Sequence, residues 1–499
     1  MDMILSLFDP NVIFPVIFAM TFGVFVGGLP GLTATMAVAL IIPISYYMSP
    51  LAGLGMVLGV SFTAIFSGDI PATFLRIPGT PASGAATLDG FELAKKGKGS
   101  LALTIDLFCS AIGGLIGILL LILIAPPLAN FALQFTNFEY FWLGLFGLSM
   151  SAVLSKGNMI KGLTAAVMGL AISTIGIDIT TGFPRFTFGN IELMDGIGFI
   201  PAMIGLFGIS EVLKRVQQGA SKLQLPPITE KVKISPIEAL KMIWKNKWTV
   251  IKSSFVGTFI GALPGAGADI GAWVAYGVEK KTSKETDDFG KGNIRGVIAP
   301  TSANNAALGG TWIPALVFGV PGDTITAIVL GAMLMYGLKP GPLIFRESRE
   351  LVNGIFGIAI LAQILLIPIG YLGIKAFAQV LKLKTSVVLT GVVLFSIIGS
   401  FAIRNSYFDI YVMLAFGVIG YLMERLAIPL APMILGIILG PMVEDNLRVG
   451  LIKTGGSMNQ FFTRPISITL FALILLVFLG GPAFNLLRKL LHKRKQQQE

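Results

Sequence analysis

The residues that could do chemistry sit in two short stretches that the chain uses twice. Gly23-Val-Phe-Val-Gly-Gly-Leu-Pro-Gly-Leu-Thr-Ala34 and Gly257-Thr-Phe-Ile-Gly-Ala-Leu-Pro-Gly-Ala-Gly-Ala268 agree at seven of twelve positions, at an offset of 234. Ile70-Pro71-Ala72 followed by Pro78-Gly79 recurs as Ile313-Pro314-Ala315 followed by Pro321-Gly322, at an offset of 243. Polar side chains gather around these repeats. They are Thr33, Thr35, Ser67, Asp69, Arg76, Thr80 and Ser83 in the first half, and Asp269, Ser302, Asn304, Asn305, Thr311, Asp323, Thr324 and Thr326 in the second. Proline removes a backbone donor and breaks a helix, and glycine tolerates backbone that other residues do not. A broken helix exposes amide donors at one end, which favour an anion, and carbonyls at the other, which can hold Na⁺. Hydroxyl and amide side chains add neutral partners that fit a carboxylate. The chemistry implied is the binding of an anion and a cation.

Each of these groups also has an ordinary use. Asp69 and Arg76 could pair structurally, and Ser and Thr can bond back to a local carbonyl. Asn304-Asn305 could cap or link helices, and Asp178 with Arg185 reads as a surface turn. The clustering of polar groups at both copies of the breaks favours the binding reading. In hydrocarbon such breaks are tolerated only where they are buried or line a cavity.

The elements that must position these residues are membrane helices. The 499 residues are 54% hydrophobic and 13% charged, with mean hydropathy +0.82, whereas soluble domains carry about 25% charged residues. Apolar runs of about 20 residues recur from end to end. The expected fold is an all-α polytopic membrane protein with 10–14 transmembrane helices, some broken or re-entrant. Its two ordered signatures mark a two-fold internal repeat, inverted if the parity of crossings allows, as in an elevator-like transporter. The expected divisions are repeat 1 at 1–218, a basic cytoplasmic connector at 219–246, repeat 2 at 247–487 and a basic tail at 488–499.

Charge orients the chain. Residues 1–75 contain no Lys or Arg, residues 214–252 contain nine against Glu230 and Glu238, and Arg488 to Lys495 add five. Positive loops stay cytoplasmic, so the net charge of +11 reflects topology, and no nucleic acid is implied. The connector and C-terminus are expected inside and the N-terminus outside. No basic segment precedes the first apolar run, so no cleaved signal peptide is expected. The single cysteine, Cys109, and the single histidine, His492, exclude a disulfide framework, a catalytic triad and a multi-histidine metal site. No phosphate-binding loop for ATP is present, and Gly265-Ala-Gly267-Ala-Asp-Ile-Gly271 has one residue too many for a dinucleotide loop.

On these residues the chain resembles the large membrane subunit of the tripartite tricarboxylate transporters (the TctA family). The matching stretches include Gly28-Leu-Pro-Gly-Leu-Thr33, Ile77-Pro-Gly-Thr-Pro81 with Leu88-Asp-Gly90, and Arg185-Phe-Thr-Phe-Gly189. Further ones are Leu206-Phe-Gly-Ile-Ser-Glu211, Ala303-Asn-Asn-Ala306 with Gly309-Gly310, Pro340-Gly-Pro342 and Leu439-Gly-Pro-Met-Val-Glu444. The resemblance implies a secondary-active uptake permease of the bacterial inner membrane, driven by a cation gradient, usually Na⁺, without ATP hydrolysis. It also implies a small four-helix membrane subunit and a periplasmic solute-binding protein as partners, with a small carboxylate as substrate. The chain departs from the family at Asp69 and Asp323, where the family usually has serine. It departs again at Arg76, usually asparagine, and at Thr301, usually glutamate.

The substrate site is therefore expected at Gly31, Thr33, Arg76, Gly79, Thr80, Gly265, Ser302, Asn304, Asn305 and Gly322. Backbone amides near Gly31, Gly79, Gly265 and Gly322 would donate, and Arg76 would add charge. Asp69, Asp323 and Thr326 are the candidates for the coupling ion, Na⁺ or H⁺, and no catalytic residue, resident metal or other cofactor is expected. The alternatives are a stand-alone cation-coupled organic anion transporter, an integral membrane enzyme and a passive channel. The enzyme is disfavoured because Asp287-Asp288, an adjacent acidic pair, lies among lysines. The channel is disfavoured because no charged ring is present.

Overall fold

Within lipid every amide must find its partner inside its own segment, and the apolar runs fold accordingly as helices. A computed structural model describes residues 6–29, 32–154, 158–178, 181–217, 235–380 and 385–478. Pro30 and Gly31, most of the basic connector and the basic tail lie outside the described residues.

The described helices are α1 (Pro10–Gly28), α2 (Ala34–Ser45), α3 (Pro50–Ser67), α4 (Asp69–Leu75), α5 (Ser83–Lys95), α6 (Gly99–Ala132), α7 (Asn137–Leu154) and α8 (Met159–Ser173). A two-stranded antiparallel hairpin follows, β1 (Gly176–Ile177) with β2 (Pro184–Arg185). Then come α9 (Phe199–Met203), a π-helical turn at Ile204–Ile209, α10 (Ser210–Gln217), α11 (Pro236–Lys245), α12 (Lys247–Gly261), α13 (Gly267–Thr282), α14 (Arg295–Phe318) and α15 (Thr324–Met335). The chain continues through α16 (Ile344–Glu347), α17 (Arg349–Val380), α18 (Thr385–Arg404), α19 (Tyr407–Arg425), α20 (Leu430–Lys453), α21 (Asn459–Thr463) and α22 (Pro465–Phe478).

Seven described helices are long and apolar enough to cross a membrane: α1, α3 running on through α4, α6, α17, α18, α19 and α20. Full-length helices thus fall short of the expected 10–14. Breaks rich in glycine and proline divide other apolar runs into pieces such as α2 and α15, and polar residues lower the hydropathy of α12 and α14.

The chain forms two compact units, and each draws on both sequence halves. One comprises Met1–Leu133 and Gly198–Arg425, the other Gln134–Ile197 and Leu426–Glu499. In the second unit α20 packs along α7 and α8. Its hairpin is tied down by charge. Arg185 forms a two-pronged pair with Glu444, and Asp178 accepts from Arg448 at 2.6 Å and lies 3.5 Å from Arg185. The expected surface turn at Asp178 and Arg185 is thus a buried-edge ion network, because acids and bases from α20 meet it.

In the first unit α14 is the central element, packed against α6, α12 and α13. Its residues from Gly296 to Val317 are all buried. Small residues let the backbones approach, and the same approaches occur twice. Gly23 and Gly27 of α1 face Val60 and Ala64 of α3, and Gly257 and Gly261 of α12 face Ala303 and Ala307 of α14. The sequence offsets between these pairs are again 234 and 243.

Beyond each crossing the chain makes the same turn. A Cβ added at Gly79 would lie 2.5 Å from the Gly27 carbonyl oxygen and 2.7 Å from Gly68 Cα. At Gly322 it would lie 2.7 Å from both the Gly261 oxygen and Thr311 Cα. Only glycine fits where one backbone rides over another so closely.

Candidate functional site

The half-helices that follow the breaks converge within the first unit. α2 begins at its cap Thr33, whose hydroxyl accepts from the Met36 amide at 3.2 Å. α15 begins at Asp323, whose carboxylate accepts from the Thr326 amide and hydroxyl, both at 2.7 Å, in a capping box. The Thr35 and Thr324 hydroxyls meet at 3.0 Å, which joins the first turns of α2 and α15. α13 starts beside them, since a Cβ on its first residue Gly267 would lie 2.6 Å from Asp323 Cβ. Three helix N-termini from opposite halves of the sequence therefore meet. Thr33, Thr35, Gly265, Asp269, Asp323 and Thr324 are only part-buried there, within reach of a solute.

α5 is the counterpart of α15, with a hydroxyl pair at its start where α15 has its capping box. Thr80 Oγ lies 2.8 Å from Ser83 Oγ and 3.4 Å from the Ser83 amide. Thr80 and Ser83 stand 243 positions before Asp323 and Thr326, so a neutral pair occupies one cap and an acid–hydroxyl pair the other. α5 packs on α13 with Gly84 against Trp273, as α2 packs on α15.

A second, deeper layer lies between α4, α6 and α14. Asp69, Ser302, Asn304 and Asn305 are each 0% exposed. Asn304 Nδ2 donates to Asp69 Oδ2 at 3.3 Å, bridging 235 positions of sequence. Ser302 Oγ and both polar atoms of Asn305 have no described partner. Asp106 of α6 joins this layer. It interacts with Asp69 and accepts from Ser110 at 3.1 Å. Gln363 of α17 is also fully buried and sits against Gly114 of α6.

The structure thus separates the expected residues. Thr33, Gly265, Asp323 and Thr326 lie at the converging N-termini, Gly322 lies on the turn leading to α15, and Ser302, Asn304, Asn305 and Asp69 lie in the buried layer. Thr80 and Gly79 belong to the α5 turn, and Gly31 is outside the described residues. Arg76 joins neither group. It is exposed, adopts a left-handed backbone at φ 58° and stacks over Phe91 at 5.5 Å. Asp69 and Arg76 therefore do not form the structural pair considered from sequence.

Two expected amide donors are already used. The Gly79 amide donates to Gly68 O at 3.0 Å, and the Gly265 amide donates to Gly322 O at 2.7 Å, which ties the turn before α13 to the turn before α15. Thr326 and Asp323 likewise serve as a helix cap. Asp106, Ser110 and Gln363 were not foreseen. A lone acid in the long apolar run of α6 was the available signal for Asp106, since such residues are costly in hydrocarbon and usually functional. Ser110 and Gln363 carry no comparable signal, because isolated neutral polar residues are common in membrane helices.

Asp89, inside one matching motif, has a different task. Its Oδ1 accepts from the amides of Gly290, Gly292 and Asn293 at 2.8–2.9 Å, and its Oδ2 from Tyr276 at 2.9 Å. This buried carboxylate anchors the loop between α13 and α14.

Broken apolar helices with converging N-termini define a multi-pass membrane protein of the transporter type. The model of the tripartite tricarboxylate transporter TctA family matches residues 13–435, and the chain belongs to that family. It is similar to an uncharacterised 52.8 kDa protein in the TAR-I ttuC′ 3′ region of Agrobacterium vitis, 34% identical over 90% of this chain and 89% of that protein. An uncharacterised protein in the TAR-II ttuC′ 3′ region of the same organism is 35% identical over 44% of this chain and 90% of its own length. No solved structure matches. Membership makes the chain a membrane subunit of a tricarboxylate transporter and sets it among transport proteins rather than enzymes.

Proposed function

We propose that this chain is the permease of a binding-protein-dependent secondary transporter that imports a small carboxylate across the bacterial inner membrane. One observation carries the reading: the N-termini of α2, α13 and α15 meet at part-buried threonines, with Thr35 and Thr324 in contact at 3.0 Å. Positive dipole ends and hydroxyl donors aimed at one place suit a carboxylate, and their low-dielectric setting strengthens the attraction. The recurrence of the Gly27–Ala64 and Gly261–Ala307 approaches, and of the two turns beyond them, supports an internal repeat of inverted type and elevator-like movement. A periplasmic binding protein would deliver the carboxylate, and a small four-helix subunit would accompany this chain. The basic connector and C-terminus face the cytoplasm in this reading, consistent with the cation-rich segments. The coupling cation is Na⁺ or H⁺.

The test is uptake of citrate and of smaller dicarboxylates into proteoliposomes holding both membrane subunits, with the cognate binding protein outside. Accumulation that needs the binding protein and a cation gradient is the expected result. Accumulation independent of every ion gradient, or single-channel current, would defeat the secondary-transport reading. Wild-type kinetics in a Thr35→Val, Thr324→Val protein would move the site elsewhere.

A further inference from the structure

Among the described residues the buried layer holds two acids and no base. Asp69 on α4 is 0% exposed and Asp106 on α6 is 1% exposed, and the two acids are neighbours where α4 packs on α6. Asn304 Nδ2 donates to Asp69 Oδ2 at 3.3 Å, and Ser110 Oγ donates to Asp106 Oδ1 at 3.1 Å. Ser83 also stands beside Asp69, and Asp69 Oδ1, Asp106 Oδ2 and Asn304 Oδ1 make no hydrogen bond within normal geometry among the described residues.

Among the described residues the surrounding elements bring no counter-charge to the pair. α5 presents Ser83, α6 presents Ser110 and the Cys109 thiol, α14 presents Thr301, Ser302, Asn304 and Asn305, and α17 presents Gln363. Cys109 and the two acids are the titratable groups among them. Arg76 is exposed and stacked on Phe91.

Two bare carboxylates side by side in a dry site repel strongly and leave acceptor facing acceptor. A single proton resolves both problems, because one acid then donates its O–H to the other's carboxylate, as in paired-carboxyl enzymes. The Asn304 amide and Ser110 hydroxyl each occupy one carboxylate oxygen, which leaves Asp69 Oδ1 and Asp106 Oδ2 to share the proton.

We propose that Asp69 and Asp106 hold one exchangeable proton between them and couple transport to H⁺ rather than Na⁺. This rests on the uptake reading above and names its coupling ion. The proton arrives as H⁺ from one side, occupies an O–H bond on one of the two acids, and leaves as H⁺ to the other side. No other bond changes.

Infrared difference spectroscopy on the reconstituted full-length protein tests the pair without a substrate. The carboxyl C=O stretch of a protonated acid in apolar surroundings is expected, disappearing as pH rises. It should be lost in Asp69→Asn and in Asp106→Asn, and unchanged when K⁺ is replaced by Na⁺ at constant pH. An unchanged amide band shows that each variant is folded. No such stretch, one that survives both substitutions, or one removed by Na⁺ overturns the proposal. A transport arm uses citrate with the cognate binding protein. A pH gradient in Na⁺-free buffer should drive accumulation, and Asp106→Asn should lose accumulation while retaining citrate exchange across the membrane. Accumulation driven by Na⁺ alone also overturns the proposal. Absence of exchange in the wild type defeats the uptake reading instead, and the infrared result still decides the pair.

Discussion

Arg76 and Gly319 hold the same left-handed position at the ends of α4 and α14, at φ 58° and 68°. Behind each, the next amide closes the same bond. Ile77 N donates to Pro71 O at 3.4 Å, and Val320 N to Pro314 O at 3.3 Å. The two residues stand 243 positions apart, so one turn is built twice from different side chains.

A left-handed residue with a Cβ carries strain of about 1–2 kcal/mol that glycine avoids. Arg76→Gly is therefore expected to raise stability by about 1 kcal/mol, and Gly319→Arg to lower it by about 1–2 kcal/mol. Thermal unfolding in detergent reads both. A fall in stability for Arg76→Gly would show that its stacking on Phe91 outweighs the backbone term.

The close backbone approaches at Gly79 and Gly322 give a second expectation. A methyl group would lie 2.5 Å from Gly27 O in the first and 2.7 Å from Gly261 O in the second. Neither neighbour can move without shifting a helix, so Gly79→Ala and Gly322→Ala should each destabilise by about 1–3 kcal/mol. The start of α5 or α15 shifts with the turn, so uptake should drop as well. Unfolding midpoints together with initial uptake rates check this.

Asp89 holds the loop between α13 and α14 through three amides and a tyrosine. Asp89→Asn keeps the shape but removes the charge, and bonds to a charged partner contribute about 1.5–3 kcal/mol. The loop should loosen, freeing the backbone at the exposed Lys284 and Lys291 to enter the trypsin site. Faster cleavage at these two lysines, followed by mass spectrometry, is the expected outcome. Unchanged cleavage would mean that packing of Tyr276 against Phe289 suffices to hold the loop.

The hydroxyl contact between Thr35 and Thr324 can be measured by a double-mutant cycle. Each Thr→Val change should raise the substrate concentration needed for half-maximal uptake. The pair should then show coupling of about 0.5–1.5 kcal/mol, the size of one hydrogen bond. Strict additivity would mean that the two hydroxyls bind solute independently.

Much of this protein was legible before any fold was known. Scarce charge and long apolar runs dictate membrane helices, since nothing else satisfies the backbone in lipid. The Leu-Pro-Gly and Ile-Pro-Ala signatures marked the breaks, and the turns at Arg76 and Gly319 lie inside the second of them. The family motifs identified the class of protein. Sequence also listed Asn304 and Asp69 as polar groups at membrane depth.

Which of those groups meet was decided only in three dimensions. Asp69 turned toward Asn304 and Asp106, while Arg76, seven residues along, came out to Phe91. The Gly79 and Gly265 amides were taken up by the carbonyls of Gly68 and Gly322. The first turns of α2 and α15, nearly three hundred residues apart, were brought into contact. The physical reason is that hydrophobic patterning is a property of each segment, whereas a polar contact depends on how helices cross. Those crossings are set by the small residues at which backbones can touch, and they couple parts of the chain that no local pattern relates.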